Sequence, residues 1–390
     1  MPTLRTVLLV TIAMPPLVFA SAFGRPNEWS VLGDEIVRLV RANFYDSRAA
    51  GAWADKHAGY AAAIADADQF AKRTREILAE LKASHTAYYT NRDVQFYGLH
   101  AVFAVHGDEP PVEYESIGID VTHDHFVRTV FDGGPADQAG LRRGDRILMA
   151  DGRAFEPVES FRGRAGQNIK LTVQRTADGQ PVTVSVRPRR IDPKKEWLEA
   201  QTRGTRVIRH GVKKVAYAPM FSCAGGEYQD ALQKALDGHL ADSDALVIDF
   251  RNGWGGCEPG FVNLFSRTPP EMVMTLPDGR RRSVTQGWRK PLFILINGGS
   301  KSGKEVVAYS IQKHKLGTLV GERTGGAVLG GRLFPLSESS LLYLAVSDVE
   351  VDGQRLEGRG VQPDIPVDDL LRFANGGDPQ LEKALELADK

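Results

Sequence analysis

Residues 297–305 read Asn-Gly-Gly-Ser-Lys-Ser-Gly-Lys-Glu and offer two serines placed for nucleophilic chemistry. Leu292 to Ile296, just before them, is an unbroken apolar run of the kind found in a strand buried on both faces. After Glu305, residues Val306, Val307, Tyr309, Ser310 and Ile311 follow a helical pattern. Ser300 and Ser302 therefore fall in a tight turn between a buried strand and the start of a helix. Such a turn presents a hydroxyl, and free N–H groups at a helix start can hold a developing oxyanion. The same pattern also describes an ordinary cap, because serine is a favoured N-cap residue.

A nucleophilic serine needs a base. The chain has nine histidines, and spacing alone does not choose among them. His85 stands in the polar turn Ala83-Ser84-His85-Thr86 after a helical stretch, where a surface or capping role is equally natural. Lys301 and Lys304 are the nearest amines. Lys304, two residues on from Ser302, diverges from it around a helix. A lysine base would also need burial to lower its pKa.

The elements that must position these groups fall into blocks. Residues 1–22 resemble an export signal: Arg5 supplies a positive start, Thr6 to Ala20 is apolar though broken by Pro15 and Pro16, and Ala20-Ser21-Ala22 is a small-x-small cleavage site. A mature chain starting near Phe23, periplasmic or secreted and with no stable membrane span, is the expectation. Residues 23–95 form a helical domain: Trp29, Leu32, Ile36, Val37, Leu39, Val40 and Phe44 recur at helical spacing, and further helices are predicted over 53–67 and 69–82. Residues 96–192 switch to short strands and turns. Residues 193–372 alternate strands and helices, with strands at 215–220, 245–250, 292–296 and 318–321, and 373–390 close the chain as a helix or tail.

The chain has 390 residues, two or three domains' worth, and its 49 basic and 49 acidic residues cancel. That balance argues against a general electrostatic grip on nucleic acid. No metal site and no organic cofactor are implied. Cys223 and Cys257 are the only cysteines, each after a predicted strand. They can pair if those strands are neighbours, or stay as two buried thiols. A run of arginines and lysines from Arg187 to Lys195 reads as a solvated linker.

The stretch "GGPADQAGLRRGDRILMADG" (133–152), with the alternating segments around it, resembles a PDZ domain. The resemblance implies that the loop Ser116, Ile117, Gly118 and Ile119 receives a peptide's C-terminal carboxylate, the peptide adding as a strand. A PDZ that serves only as scaffold or lid is the alternative.

The order helices, PDZ, "VIDFRNGWGG", "LINGGSKSGKE", "VGERTGGA" and "EGRGVQPDIPV" resembles the C-terminal processing (tail-specific) serine peptidases, which include the tricorn core proteases. The fold implied is α/β and α+β multidomain, with a ClpP/crotonase-like α/β peptidase core. The family's Ser-x-x-Glu pattern selects Ser302, with Glu305 as its acid and Ser300 in support. The resemblance makes Gly255 or Gly256, joined by Gly303, the oxyanion donors. Many members use a Ser–Lys dyad with the lysine in a Thr-x-Gly-Lys-Gly turn. This chain has Ala327 there, in Thr324-Gly325-Gly326-Ala327, and alanine takes no proton. The tricorn-like branch instead uses Ser-His, serine and a late glutamate, which match Ser84-His85, Ser302 and Glu357. A neutral imidazole is already a competent base near pH 7. Ser84 and Glu357 are then expected to orient His85, in an order the sequence leaves open. The implied partners are protein or peptide substrates, with C-terminal tails at the PDZ, and a homo-oligomer is compatible. The rival is a non-catalytic PDZ protein that keeps the fold and binds peptides or an apolar ligand.

Overall fold

The run Leu292–Ile296 is a strand with every residue buried, as its unbroken apolar sequence requires. In the computed structural model, which describes residues 27–104, 111–266, 271–285 and 287–390, this strand lies inside a six-stranded sheet. The predicted export signal lies outside the described residues. The sheet runs Arg206–His210, Lys213–Pro219, Ala245–Asp249, Leu292–Ile296, Thr318–Gly321, Ile365–Pro366. The first pair is antiparallel and the rest are parallel, with Leu246 opposite Leu292 and Phe293 opposite Thr318.

Side chains alternate across this sheet, as a pleat demands. Leu246, Ile248, Ile294 and Ile296 pack with Val307 and Ile311 of the helix Gly303–Lys313 and with Tyr228 and Leu232 of the helix Gly226–Asp237. Val247, Phe293 and Leu295 pack on the other face against Ala384, Leu385 and Ala388 of the closing helix Pro379–Ala388. The turn after Ile296 therefore opens at the carboxyl ends of the parallel strands, where open α/β sheets place their sites.

Three helices lead the chain: Glu28–Asn43, Ser47–Lys56 and Ala67–Ala79. The side chains of Asn27, Asp46 and Asp66 cap them by accepting backbone N–H bonds. The second helix differs from the expected 53–67: Asp46 starts it early, and residues 57–63 are turns. These helices rest on a three-stranded sheet of Ala87–Thr90, Ser340–Ser347 and Gly330–Ser337. Ile36, Val40, Phe70 and Ile77 meet Leu342 and Leu344 in one core. The hairpin Gly330–Ser337/Ser340–Ser347, which follows Thr318–Gly321 in the chain, thus packs with the leading helices.

Between them lies a four-stranded sheet, Arg153–Ala154, Arg146–Ala150, Ile169–Gln174, Val182–Val186, with two small strand pairs beside it. Residues 114–121 form two strands, Tyr114–Ser116 and Ile119–Val121, split at Ile117-Gly118. Gly118 has φ 77°, a left-handed conformation that ends one strand and starts the next. Helix Val94–Phe103 precedes this region, where only strands were expected. The basic run read as linker is instead the strand Arg189–Ile191 and the start of the helix Pro193–Gly204, capped by Asp192. Among the described residues, no helix is long and apolar enough to cross a membrane.

Candidate active site

Ser302 is the N-cap of helix Gly303–Lys313, at φ 57° and ψ −129°. A non-glycine residue held there costs of order 1–3 kcal/mol and persists only where its surroundings fix it. They do. The Ser302 N–H donates to the Ala327 carbonyl (2.8 Å) and to Glu305 Oε2 (3.2 Å). The Glu305 N–H donates to the Ser302 carbonyl at 2.8 Å. Glu305 also accepts from Thr324 Oγ1 (2.5 Å), the Gly326 N–H (2.7 Å) and the Ala327 N–H (2.8 Å). Its carboxyl is fully buried, and burial pushes its pKa above the ordinary range against those donors. Glu305 is thus an anchor that ties loop 324–327 to the Ser302 turn. Ser300 is buried too, and its hydroxyl donates to the Phe250 carbonyl at 2.9 Å, so it supports the turn.

His85 comes from the other end of the chain. It lies in the turn before Ala87–Thr90, a strand pinned by pairing with Ser340–Ser347. The Ser84 hydroxyl is 2.8 Å from His85 Nδ1 and donates to Glu357 Oε2 at 2.9 Å. The Ser84 N–H donates to Glu357 Oε1 at 3.0 Å. Which group touches the imidazole, left open by the sequence, is therefore Ser84, with Glu357 behind it. The network also sets the tautomer. An ionised carboxylate only accepts, so the single Ser84 hydroxyl proton goes to Glu357. The Ser84 oxygen then accepts from His85, which puts the imidazole proton on Nδ1 and leaves Nε2 basic. Burial lowers the His85 pKa to about 4; Glu357 opposes this, and the Lys301 cation adds to it. The imidazole is neutral at physiological pH.

Glu357 Oε2 accepts in addition from the Val328 N–H at 2.8 Å and the Leu329 N–H at 3.3 Å. One short loop, 324–329, thereby serves both halves of the site. Ala327 receives the Ser302 N–H, and the next residue holds the carboxylate behind His85. Ala327, which breaks the lysine pattern, contributes backbone alone.

The Gly-rich loop closes the site. A Cβ on Gly255 would lie 2.8 Å from the Ser302 Cβ, so only glycine lets this backbone come so close to the serine. Among the described residues, the N–H groups of Gly255, Gly256 and Gly303 donate to no backbone carbonyl in the turns and loops. Gly255 and Gly303 border Ser302, and Gly256 lies against Ala224. By contrast, Ser116, Ile117 and Gly118 of the PDZ loop are buried, and the Ser116 hydroxyl takes the Gly118 N–H at 2.9 Å.

Several participants were not foreseen. Tyr343 packs against His85 with ring centroids 5.2 Å apart and the rings tilted by 53°; it comes from a hairpin with no chemical motif. Arg251 is held by Asp249 and Asp378, with Nη2 contacts of 2.6 and 2.7 Å, and ties the Gly-rich loop to the closing helix. Lys304 is fully buried, and its ammonium donates to the Met220 and Asn252 carbonyls at 2.6 and 2.7 Å. Cys223 and Cys257 form a disulfide, so of the two readings open in the sequence the bridge is the one observed. Among the described residues, no cluster of His, Cys, Asp and Glu could hold a metal ion.

Comparison with known proteins agrees with this architecture. Residues 214–367 match the model of Peptidase family S41, and residues 126–175 match a PDZ domain. The carboxy-terminal-processing protease of Bartonella bacilliformis is 27% identical over 285 residues, 68% of this chain and 64% of that protein. The carboxyl-terminal-processing protease of Synechocystis is 26% identical over 275 residues, 65% and 62% of the two chains. A putative tricorn protease homolog of Streptomyces coelicolor is 25% identical over 397 residues, 93% of this chain but 32% of its own. This chain thus spans a little under two thirds of the length of these two processing proteases. Among solved structures, the photosystem II D1 C-terminal processing protease shares the fold with a TM-score of 0.52 at 21% identity, covering 90% of this chain and 98% of that one. The tricorn protease does so with 0.54 at 18% identity, covering 93% and 36%. The chain carries a Peptidase family S41 core together with a PDZ domain.

Proposed function

We propose that this chain is an exported serine endopeptidase that hydrolyses peptide bonds in unfolded or C-terminally exposed proteins. Ser302 is the nucleophile and His85 the general base. The observation that carries this reading is the line Glu357–Ser84–His85, because it fixes a neutral imidazole with its basic nitrogen away from the relay. In this reading the Ser302 oxygen attacks the scissile carbonyl while its proton passes to His85 Nε2. The oxyanion that forms is received by N–H groups of Gly255 or Gly256 and Gly303. His85 then returns the proton to the leaving amine, and water repeats the cycle on the acyl-enzyme. Glu357 stabilises the imidazolium through Ser84. The tricorn-like Ser-His arrangement replaces the Ser–Lys dyad that Ala327 forbids.

Substrate tails are proposed to dock at the PDZ through Ser116–Ile119, a loop that has to open for this because Ser116, Ile117 and Gly118 are buried and the Gly118 N–H is held by Ser116; export through residues 1–22 would deliver the enzyme to the periplasm or outside the cell. The rival reading, a peptide-binding protein with a lapsed site, rests on Ala327 alone. A fluorophosphonate probe decides between them. Wild type is expected to label, Ser302→Ala not at all, and His85→Ala about 10³-fold more slowly or less, in line with loss of a triad base. Labelling that survives Ser302→Ala removes the nucleophile. Full casein cleavage by His85→Ala removes the base and returns attention to Lys304.

A further inference from the structure

Two loops border the place where an oxyanion would form, and both are tied down by groups that no step above uses. One runs from Met220 to Ala224 after the strand Lys213–Pro219, the other from Phe250 to Cys257 after Ala245–Asp249. The Cys223–Cys257 disulfide joins them, with both residues buried. Beside the bridge, the Cys223 N–H donates to the Gly255 carbonyl at 3.1 Å, and the Trp254 N–H donates to the Phe221 carbonyl at 2.8 Å. At the other end, the Lys304 ammonium donates to Met220 in one loop and Asn252 in the other, at 2.6 and 2.7 Å.

Both fastenings touch the nucleophile's own helix. Lys304 is its second residue. A Cβ on Gly303, its first, would lie 2.4 Å from the Cys257 nitrogen. Gly253 is fitted to the same join: a Cβ there would lie 2.3 Å from the Phe221 carbonyl oxygen and 3.2 Å from Lys304 Nζ. The second loop holds three glycines in the four residues 253–256. Left to itself, such a chain samples many conformations, and its N–H groups would wander.

A buried lysine is a costly way to fill space. Burial draws its pKa down to about 7, opposed by Asp249 and Asp120, the two carboxylates whose charges reach it. A methionine would fill the same volume without that cost, but would leave two buried carbonyls unpaired. The lysine therefore does something that volume does not: it joins two carbonyls on separate loops.

We propose, on the basis of the serine-peptidase reading above, that Lys304 and the Cys223–Cys257 disulfide are positioning residues. Together they clamp the two loops and hold the Gly255 and Gly256 N–H groups at Ser302, so that turnover depends on the oxidised bridge. Reduction is a two-electron exchange. Dithiothreitol gives up two electrons and two protons, becomes the cyclic disulfide, and leaves two cysteine thiols. The clamp then holds at the Lys304 end alone. Neither His85 nor the hydroxyl of Ser302 is touched.

The test uses the full mature chain. Steady-state kcat and KM on an unfolded peptide substrate are measured for oxidised protein, for protein reduced with dithiothreitol and counted for free thiols, and for reoxidised protein. The Cys223→Ala/Cys257→Ala and Lys304→Met variants follow, each with near-UV circular dichroism and with fluorophosphonate labelling at Ser302. Reduction is expected to lower kcat about tenfold to a hundredfold, short of the ~10²–10³ lost with an oxyanion donor, to leave KM within about twofold, and to reverse on reoxidation. Lys304→Met is expected to lose kcat in the same way. Folded, fully reduced protein that keeps its kcat overturns the clamp. So does a loss of activity that comes with collapse of the near-UV spectrum, since the bridge would then serve only the fold. Oxidised wild type that neither labels nor turns over overturns the peptidase reading, and the clamp with it. A labelled, active wild type indifferent to reduction overturns the clamp alone.

Discussion

Removing the charge of Glu357 tests the relay most directly. Glu357→Gln keeps the shape and one carbonyl oxygen. Four donors face this carboxylate: the Ser84 N–H and hydroxyl and the N–H groups of Val328 and Leu329. Three of them meet at Oε2, so the amide NH2 settles best at the Oε1 position, where it loses the Ser84 N–H bond. The relay through Oε2 survives in geometry and loses its charge. The carboxylate stands within about 6 Å of the His85 ring by way of Ser84 Oγ, and at an effective dielectric near 20 a unit charge at that range is worth about 3 kcal/mol to an imidazolium. That is about 100-fold in kcat. The assay is kcat on a fluorogenic peptide, beside the melting temperature. Ser84→Ala is the partner variant: it keeps the charge but removes the contact that holds the tautomer. A Glu357→Gln enzyme with kcat within about threefold of wild type would refute the argument, because the charge would then not be felt at the base.

Two further outcomes follow from other groups. With its pKa lowered to about 4, His85 should give a kcat/KM profile that rises through pH 4 and is flat to neutrality. The same shift acts on stability. The folded pKa lies below the unfolded value of about 6.5, so the unfolded chain takes up the proton first, and His85 costs nothing above pH 6.5. As pH falls toward 4 it costs progressively more, to about 3 kcal/mol, a loss that His85→Gln should remove in urea titrations at pH 4.5 and 7.5. Arg251→Met should destabilise the chain by about 3–5 kcal/mol, because Asp249 and Asp378 would be left as buried, unpaired carboxylates; denaturant unfolding measures this, and a change below about 1 kcal/mol would contradict it.

Local patterns in the sequence were enough for the strand–turn–helix around Ser302, since five consecutive apolar residues, a glycine break and a helical period are all short-range signals. The pairing of Glu305 with Ser302 came from the resemblance, through its Ser-x-x-Glu pattern. Motif order carried the S41 and PDZ assignments, and Ala327 excluded a lysine base at that turn. The second helix starts earlier than apolar spacing suggests because Asp46 caps it, and the basic run at 187–195 is ordered because Arg189–Ile191 pairs with Tyr114–Ser116 and Asp192 caps the helix that follows.

What the linear text could not decide is what meets across long separations. Ser84 and Glu357 are 273 residues apart, and only the pairing of Ala87–Thr90 with the hairpin at 330–347 brings them into contact. The Cys223–Cys257 bridge and the burial of Lys304 depend in the same way on Lys213–Pro219 lying beside Ala245–Asp249 in the sheet. Residue types declare what a side chain can do in water. Burial and the carbonyls that surround a group are set by tertiary packing, and these turn Lys304 from a solvated cation into a buried tie between two loops.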